Sequence, residues 1–155
     1  MYSALWREGH PHGARDAGGM TDKITPAMQA FWANDPAPIE MGVELVEAQN
    51  NRSELRLRLE PRHLNGHQTA HGGVVHHLAD CAAGFAANSA GEQAVTQTNT
   101  ITFISPGRAG ETLTATGAFL ARSGRSSIYD VVVTGGDGRT VAVMRAQMRP
   151  IASKS

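Results

Sequence analysis

Residues 64–91 read LNGHQTAHGGVVHHLADCAAGFAANSAG, a polar, glycine-rich segment followed by a run of small residues. Apolar residues recur at helical spacing after Gly72, which predicts a loop over 61–71 and a helix over 72–88. Gly91 follows at a position where a glycine commonly ends a helix. Alanine and glycine on several sides permit close approach by other backbone, and this helix carries a single carboxylate, Asp80. Burying a carboxylate costs free energy unless it is paired or functional, so Asp80 is the first candidate functional residue.

The composition predicts one globular domain without a large net charge. The chain has 155 residues, 41% of them hydrophobic, and 14 basic residues balance 14 acidic ones. This balance argues against nucleic acid or an anionic membrane as a partner, and no apolar run approaches the roughly 20 residues of a membrane helix. Cys81 is the single cysteine, which fits a reducing cytoplasm, and its surroundings favour a small buried side chain over a reactive thiol. We expect a cytoplasmic protein with a disordered tail at residues 1–22 and one domain at residues 23–152.

Shorter elements surround the long helix. Thr25 and Pro26 are typical of a helix start, and Asn34-Asp35-Pro36 is typical of a helix end. Six segments have the composition and alternation of β-strands, at residues 41–48, 53–60, 94–104, 112–122, 126–134 and 140–149. This order predicts an α+β domain in which one long helix packs into one antiparallel sheet.

The segment at residues 64–91 resembles the signature of the hotdog-fold acyl-CoA thioesterases, in particular the PaaI-type enzymes of phenylacetate catabolism. The resemblance is carried by LNGHQ, HGG, LAD and NS, and it continues through FISPGRAGETLTA (103–115) and IYD (128–130). It implies a long central helix wrapped by a curved antiparallel sheet. It also implies hydrolysis of an acyl-CoA, such as phenylacetyl-CoA or hydroxylated phenylacetyl-CoA, by a homodimer that pairs again into a homotetramer. No cofactor is expected, because coenzyme A is part of the substrate.

Gly72 and Asp80 are the predicted centre of the chemistry. Gly72 lies at the predicted helix N-terminus, where backbone N–H groups are unpaired, and one oxyanion donor contributes roughly 3 kcal/mol of transition-state stabilisation. The resemblance gives the matching glycine this role, assisted by Asn65, and makes Asp80 a general base or a nucleophile. Alternatively, Gly72 serves close helix packing, and Asp80 caps a loop or pairs with an arginine.

Two further side chains enter through the same resemblance. Thr98 falls where related enzymes place a hydroxyl that orients the attacking water, although it could equally be an ordinary strand threonine. His71 is expected to fix the loop or to bond near the leaving sulfur. The neighbouring histidines lie close together in sequence but have no converging cysteine or second carboxylate, so we predict no metal site.

The spacing of Gly72 and Asp80 predicts a shared active site. Eight residues on one helix separate the two positions by about 12 Å along its axis. An oxyanion donor and an attacking water must both lie within about 3 Å of one carbon atom. One subunit cannot supply both, whereas two helices related by a two-fold axis can.

Coenzyme A phosphates require cations or backbone donors. The candidate contacts are Arg108, the Ser123-Gly124-Arg125 turn and Gly73, although the turn could be an ordinary hairpin. The chain departs from the family pattern at Ser105, where relatives often have arginine, and at His76-His77, which replaces a typically apolar or mixed stretch. The alternative functions are an acyl-thioester dehydratase or hydratase and a non-catalytic acyl-CoA-binding module.

Overall fold

The computed structural model describes residues 23–152, so the predicted tail at residues 1–22 lies outside the described residues. The helices are α1 (Pro26–Ala33), α2 (Pro36–Met41) and α3 (Gly72–Asn88). The strands are β1 (Val43–Gln49), β2 (Arg52–Arg58), β3 (Ala94–Phe103), β4 (Thr112–Ser123), β5 (Ser126–Thr134) and β6 (Thr140–Pro150). The predicted α+β order is confirmed, and the bounds of α3 are those expected from the sequence. No helix among the described residues is both long and apolar enough to cross a membrane.

The N-terminal helices form a short helical segment ahead of the sheet. Thr25 caps α1, and its hydroxyl accepts a hydrogen bond from the Met28 N–H at 3.3 Å. Helix α2 is an element that the sequence does not predict, because Asn34-Asp35-Pro36 indicates only the end of α1. Proline fits the first turn of a helix, where its missing N–H would have no partner, so Pro36 and Pro38 begin α2 instead. Gly42 ends α2 with a φ of +88°.

All six strands form one antiparallel sheet in the order β1-β2-β4-β5-β6-β3. Asn50 and Asn51 make the turn between β1 and β2 with φ values of 51° and 62°. Positive φ at both residues matches the twist of a two-residue hairpin. The sheet therefore has two edge strands, β1 and β3.

Helix α3 lies against the sheet and contacts all six strands. Its packing face is made of small residues, including Ala79, Ala82 and Ala86, each with no exposed surface. The Ser53 hydroxyl donates to the Ala82 carbonyl at 2.6 Å, and a Cβ added to Gly117 would lie 2.7 Å from the same oxygen. Small side chains therefore allow the backbone of the sheet to approach the backbone of the helix.

Strand β3 carries the irregularity that determines which side chains reach the helix. Its pairing with β6 shifts register between Thr96 and Thr98, so Gln97 is an extra residue in a β-bulge. Alternation restarts after the bulge, and Asn99 and Ile101 are half-buried while Thr98 and Thr100 are exposed. Among the described residues, β3 pairs with β6 alone, and its other edge is open.

Candidate active site

Asn65 organises the loop that leads into α3. Its Oδ1 atom accepts hydrogen bonds from the backbone N–H groups of His67 (2.9 Å) and Thr69 (3.2 Å). Its Nδ2 atom donates to the Thr69 hydroxyl at 3.0 Å. These bonds fold residues 65–69 around one side chain and place Asn65 at the rim of a cavity of about 340 Å³.

The start of α3 leaves one backbone donor available. His71 is the N-cap residue, and its Nδ1 atom accepts the Gly73 N–H at 2.9 Å. The Gly72 N–H belongs to the first turn, where no carbonyl precedes it in the helix. No hydrogen bond from this N–H is formed within residues 23–152. The N-terminal end of α3 therefore presents a free donor, with the positive end of the helix dipole behind it.

The cavity beside Gly72 is closed on one side by the end of β3. A Cβ added to Gly72 would lie 3.3 Å from the Phe103 ring, and both residues line the cavity with Asn65, Pro106 and Val141. A side chain at position 72 would therefore press on Phe103 and narrow the approach to the N–H.

Asp80 lies more than two turns further along α3 and faces the same strand. Its Oδ1 atom accepts two hydrogen bonds, from the Thr96 hydroxyl at 2.9 Å and from the Asn99 side-chain amide at 3.1 Å. Within the described part of the chain, Asp80 makes no salt bridge, and no hydrogen bond reaches Oδ2. One oxygen is thus held in place by neutral donors, and the other remains able to accept a proton.

Comparison with known proteins identifies the family to which this chain belongs. A model of the Thioesterase superfamily matches residues 67–142, a segment that contains Gly72, Asp80 and strands β3 to β5. The acyl-coenzyme A thioesterase PaaI of Escherichia coli (strain K12) is 33% identical over 132 residues, which cover 85% of this chain and 94% of that protein. The chain belongs to the PaaI-type acyl-CoA thioesterases. It is therefore a thioester hydrolase.

Solved structures agree with this assignment. The structure of the E. coli PaaI protein from the phenylacetic acid degradation operon superimposes with a TM-score of 0.81 at 31% identity, covering 88% of this chain and 99% of that one. The smu.793 protein of Streptococcus mutans UA159, bound to acetyl CoA, has a TM-score of 0.69 at 21% identity, covering 94% and 99%. The second likeness concerns the fold alone. This PaaI-type thioesterase has the hotdog fold that its sequence implied.

The hydroxyl that reaches Asp80 in this thioesterase is that of Thr96, which sequence reasoning missed. Thr98, the residue expected from the family resemblance, is exposed and donates to Gln147 at 3.4 Å. The bulge at Gln97 turns Thr98 away from the helix and leaves Thr96 facing it. Both threonines fit the alternating pattern, so the sequence held no signal that separated them. Asn99 was missed because the same bulge turns its side chain toward α3.

Three histidines of the thioesterase contact different partners. His63 is buried, accepts the Glu60 N–H at Nδ1 and donates from Nε2 to the Met41 carbonyl. His76 contacts the Asn99 Oδ1 atom at 2.8 Å, and His77 lies 3.6 Å from the Cys81 sulfur. No group of three metal-ligating side chains converges within residues 23–152.

Cys81 packs against the apolar core of the thioesterase. Burial, together with the charges of Asp35 and Asp80, raises the pKa of its thiol to about 12. The thiolate, which is the nucleophilic form, is therefore scarce at neutral pH. Cys81 is half-buried rather than fully buried as expected, and its raised pKa favours a packing role over that of a reactive thiol.

The candidate coenzyme A contacts lie at two ends of the molecule. Arg108 forms an isolated antiparallel β-bridge with Thr69 and therefore borders the loop that precedes α3. Its guanidinium pairs with Asp137 at 3.1 Å. The Ser123-Gly124-Arg125 turn joins β4 to β5 at the other end of the sheet, where the Arg122–Glu92 ion pair links it to the residues that follow α3. Of these candidate contacts, Arg108 and Gly73 lie on the Gly72 side of the same chain.

Proposed function

We propose that this thioesterase hydrolyses aryl-acetyl-CoA thioesters, phenylacetyl-CoA or its ring-hydroxylated forms, at active sites shared between two subunits. The observation that carries the proposal is the arrangement of Asp80 and Gly72 along β3. Asp80 is anchored through Thr96 and Asn99 near the middle of this edge strand, and Gly72 borders Phe103 at its end. The occurrence of the E. coli PaaI protein in a phenylacetic acid degradation operon supports the choice of acyl group.

The chemistry follows from these two groups. Asp80 Oδ2 removes a proton from water as the water oxygen bonds to the acyl carbon, and the carbonyl oxygen takes the negative charge. The Gly72 N–H donates to this oxyanion, which forms only along the reaction path, so the interaction lowers the barrier rather than tightening substrate binding. Collapse of the intermediate breaks the C–S bond, and the coenzyme A thiolate takes the proton from Asp80. As a nucleophile, Asp80 would instead form a mixed anhydride that water then hydrolyses.

The open edge of β3 supports the proposed dimer. A second copy that pairs antiparallel along this edge brings the Phe103 end of one strand alongside the Asp80 region of the other. Gly72 of one subunit then faces Asp80 of its partner, and two identical sites form about the two-fold axis. The oxyanion donor and the base then meet across the two chains, although about 12 Å separates them along one helix.

A thiol-release assay with a panel of acyl-CoA substrates tests the reaction and its substrate together. We expect the highest kcat/KM for phenylacetyl-CoA or its hydroxylated forms, compared with acetyl-CoA and long-chain aliphatic acyl-CoAs. The Asp80→Asn variant retains the shape of the side chain but loses the base, and its kcat should fall at least about 100-fold. An Asp80→Asn variant with wild-type turnover would reject the mechanism, and a preference for aliphatic acyl groups would reject the substrate class.

A further inference from the structure

His76 and Asn99 form a chain of hydrogen bonds that ends on Asp80. His76 lies one helical turn before Asp80 on α3, and its Nε2 atom is 2.8 Å from the Asn99 Oδ1 atom. The Asn99 Nδ2 atom is 3.1 Å from the Asp80 Oδ1 atom. All three side chains are half-buried at the contact between α3 and β3.

The direction of these bonds follows from the chemistry of the groups. An ionised carboxylate can only accept, so the NH₂ of Asn99 must face Asp80 and the amide oxygen must face His76. The Nε2 atom of His76 therefore carries a proton and donates it to Asn99. Both the neutral Nε2–H tautomer and the imidazolium satisfy this requirement, so the bond does not depend on the charge of the ring.

We propose that His76 and Asn99 are positioning residues for Asp80, and that His76 acts through Asn99. His76 prevents the Asn99 amide from turning its oxygen toward the carboxylate, which would repel it. With Thr96 donating to the same oxygen at 2.9 Å, Asp80 Oδ1 is fully engaged and Oδ2 is directed to the water. The proposal rests on the role of Asp80 as the base or nucleophile. It assigns a role to His76, one of the two histidines at which the chain departs from the family pattern.

The test compares three substitutions on the same helix by steady-state kinetics. His76→Phe keeps a flat ring but removes the donor, and we expect kcat to fall about tenfold with KM nearly unchanged, because a misplaced catalytic group affects the barrier. His76→Gln restores an N–H donor near the Nε2 position and should recover most of the loss. His77→Phe is the matched control, since His77 contacts Cys81 rather than Asn99, and its kcat should remain at the wild-type level.

Two outcomes of this comparison would overturn the proposal: a folded His76→Phe enzyme with wild-type kcat, or equal losses in His76→Phe and His76→Gln. The second outcome would assign the effect to packing. Asn99→Ala supplies an independent arm should His76→Phe fail to fold. It should lose at least as much activity as His76→Phe is expected to lose. If His76→Phe folds, adding it to Asn99→Ala should cost nothing further, because His76 would then have nothing to position.

The Asp80→Asn variant separates this proposal from the one on which it rests. Asp80→Asn turnover at the wild-type level rejects the assigned base, whatever His76 does. Loss of activity in Asp80→Asn together with unchanged His76→Phe and Asn99→Ala kinetics rejects the positioning role alone.

Discussion

At the scale of single residues, the absence of a side chain at Gly72 leaves its backbone N–H accessible. A Cβ at this position would press on Phe103, and the backbone N–H is the donor that α3 leaves unpaired. His71 takes up the next N–H, that of Gly73, and so orders the first turn without using the free donor. The two glycines therefore differ: the Gly73 N–H caps the helix, whereas the Gly72 N–H remains available to a ligand.

Replacing Gly72 by proline tests the oxyanion role directly. Proline removes the N–H, is favoured at the first helical position, and suits the extended φ and ψ of −61° and 134° at His71. We expect kcat to fall roughly 100- to 1,000-fold in Gly72→Pro, the typical effect of losing one oxyanion donor, with a Tm close to that of Gly72→Ala. Gly72→Ala adds the same Cβ but keeps the N–H, so it should retain far more turnover. Equal kcat values in the two variants would contradict the assignment.

At the scale of elements, α3 could be predicted from the sequence and β3 only in part. Both ends of α3 are marked by residues with a local physical preference, the His71 N-cap at its start and Gly91, with a φ of +88°, beyond its end. The bulge at Gln97 has no such mark, because it arises from the pairing of β3 with β6. With this bulge in place, the hydroxyl that bonds Asp80 is that of Thr96, and Thr98 is exposed. A residue's distance along a strand is thus readable from sequence, but the face it occupies depends on register.

A second link between elements joins the segment after β3 to the β5–β6 hairpin. The Glu111 carboxylate accepts hydrogen bonds from Arg139 and from the backbone of Arg108 and Gly136, and Arg139 also donates to the Pro106 carbonyl. Pro106 lines the cavity beside Gly72. The hydrogen bonds from Arg139 are the main cause that lowers the pKa of Glu111 from 4.5 to about 2. This ion pair therefore stabilises the wall of the site.

The lowered pKa of Glu111 predicts a pH-dependent stability. The carboxylate is held ionised more strongly in the folded protein than in the unfolded chain. Its stabilisation is therefore complete above about pH 4.5 and is lost as the pH falls toward 2. Glu111→Gln should cost on the order of 1–2 kcal/mol at pH 7, measured by thermal or denaturant unfolding, and the difference from wild type should shrink between pH 5 and pH 2.

Glu92→Gln is the matched control for this measurement. The side chains of Glu92 and Arg122 are about half exposed, at 50% and 49%, against 13% and 19% for Glu111 and Arg139. Exposed pairs contribute roughly 0–1 kcal/mol, so the control should change little at any pH. A Glu111→Gln difference that grew on acidification would contradict the assignment.

At the scale of the whole molecule, one chain carries the two parts of the proposed site at separate places along the open edge of β3. Apolar side chains are exposed on or next to this strand, with Val95 at 47%, Phe103 at 52% and Ile104 at 57%. Exposed apolar groups beside an unpaired strand favour pairing with another chain. Two copies of β3 would cover them and complete both sites in the same step, so assembly and activity should be coupled.

Mixing two inactive variants tests this coupling. A subunit with Gly72→Pro keeps Asp80, and a subunit with Asp80→Ala keeps the Gly72 N–H. In a shared-site heterodimer, one site therefore receives both intact groups while the other receives both defects. Heterodimers isolated through two different affinity tags should have about half of the wild-type turnover, since one of two symmetric sites is complete. Each variant alone should remain inactive after the same unfolding and refolding. If each site were built within one chain, every site in the heterodimer would carry one defect, and turnover would stay at the level of the single variants.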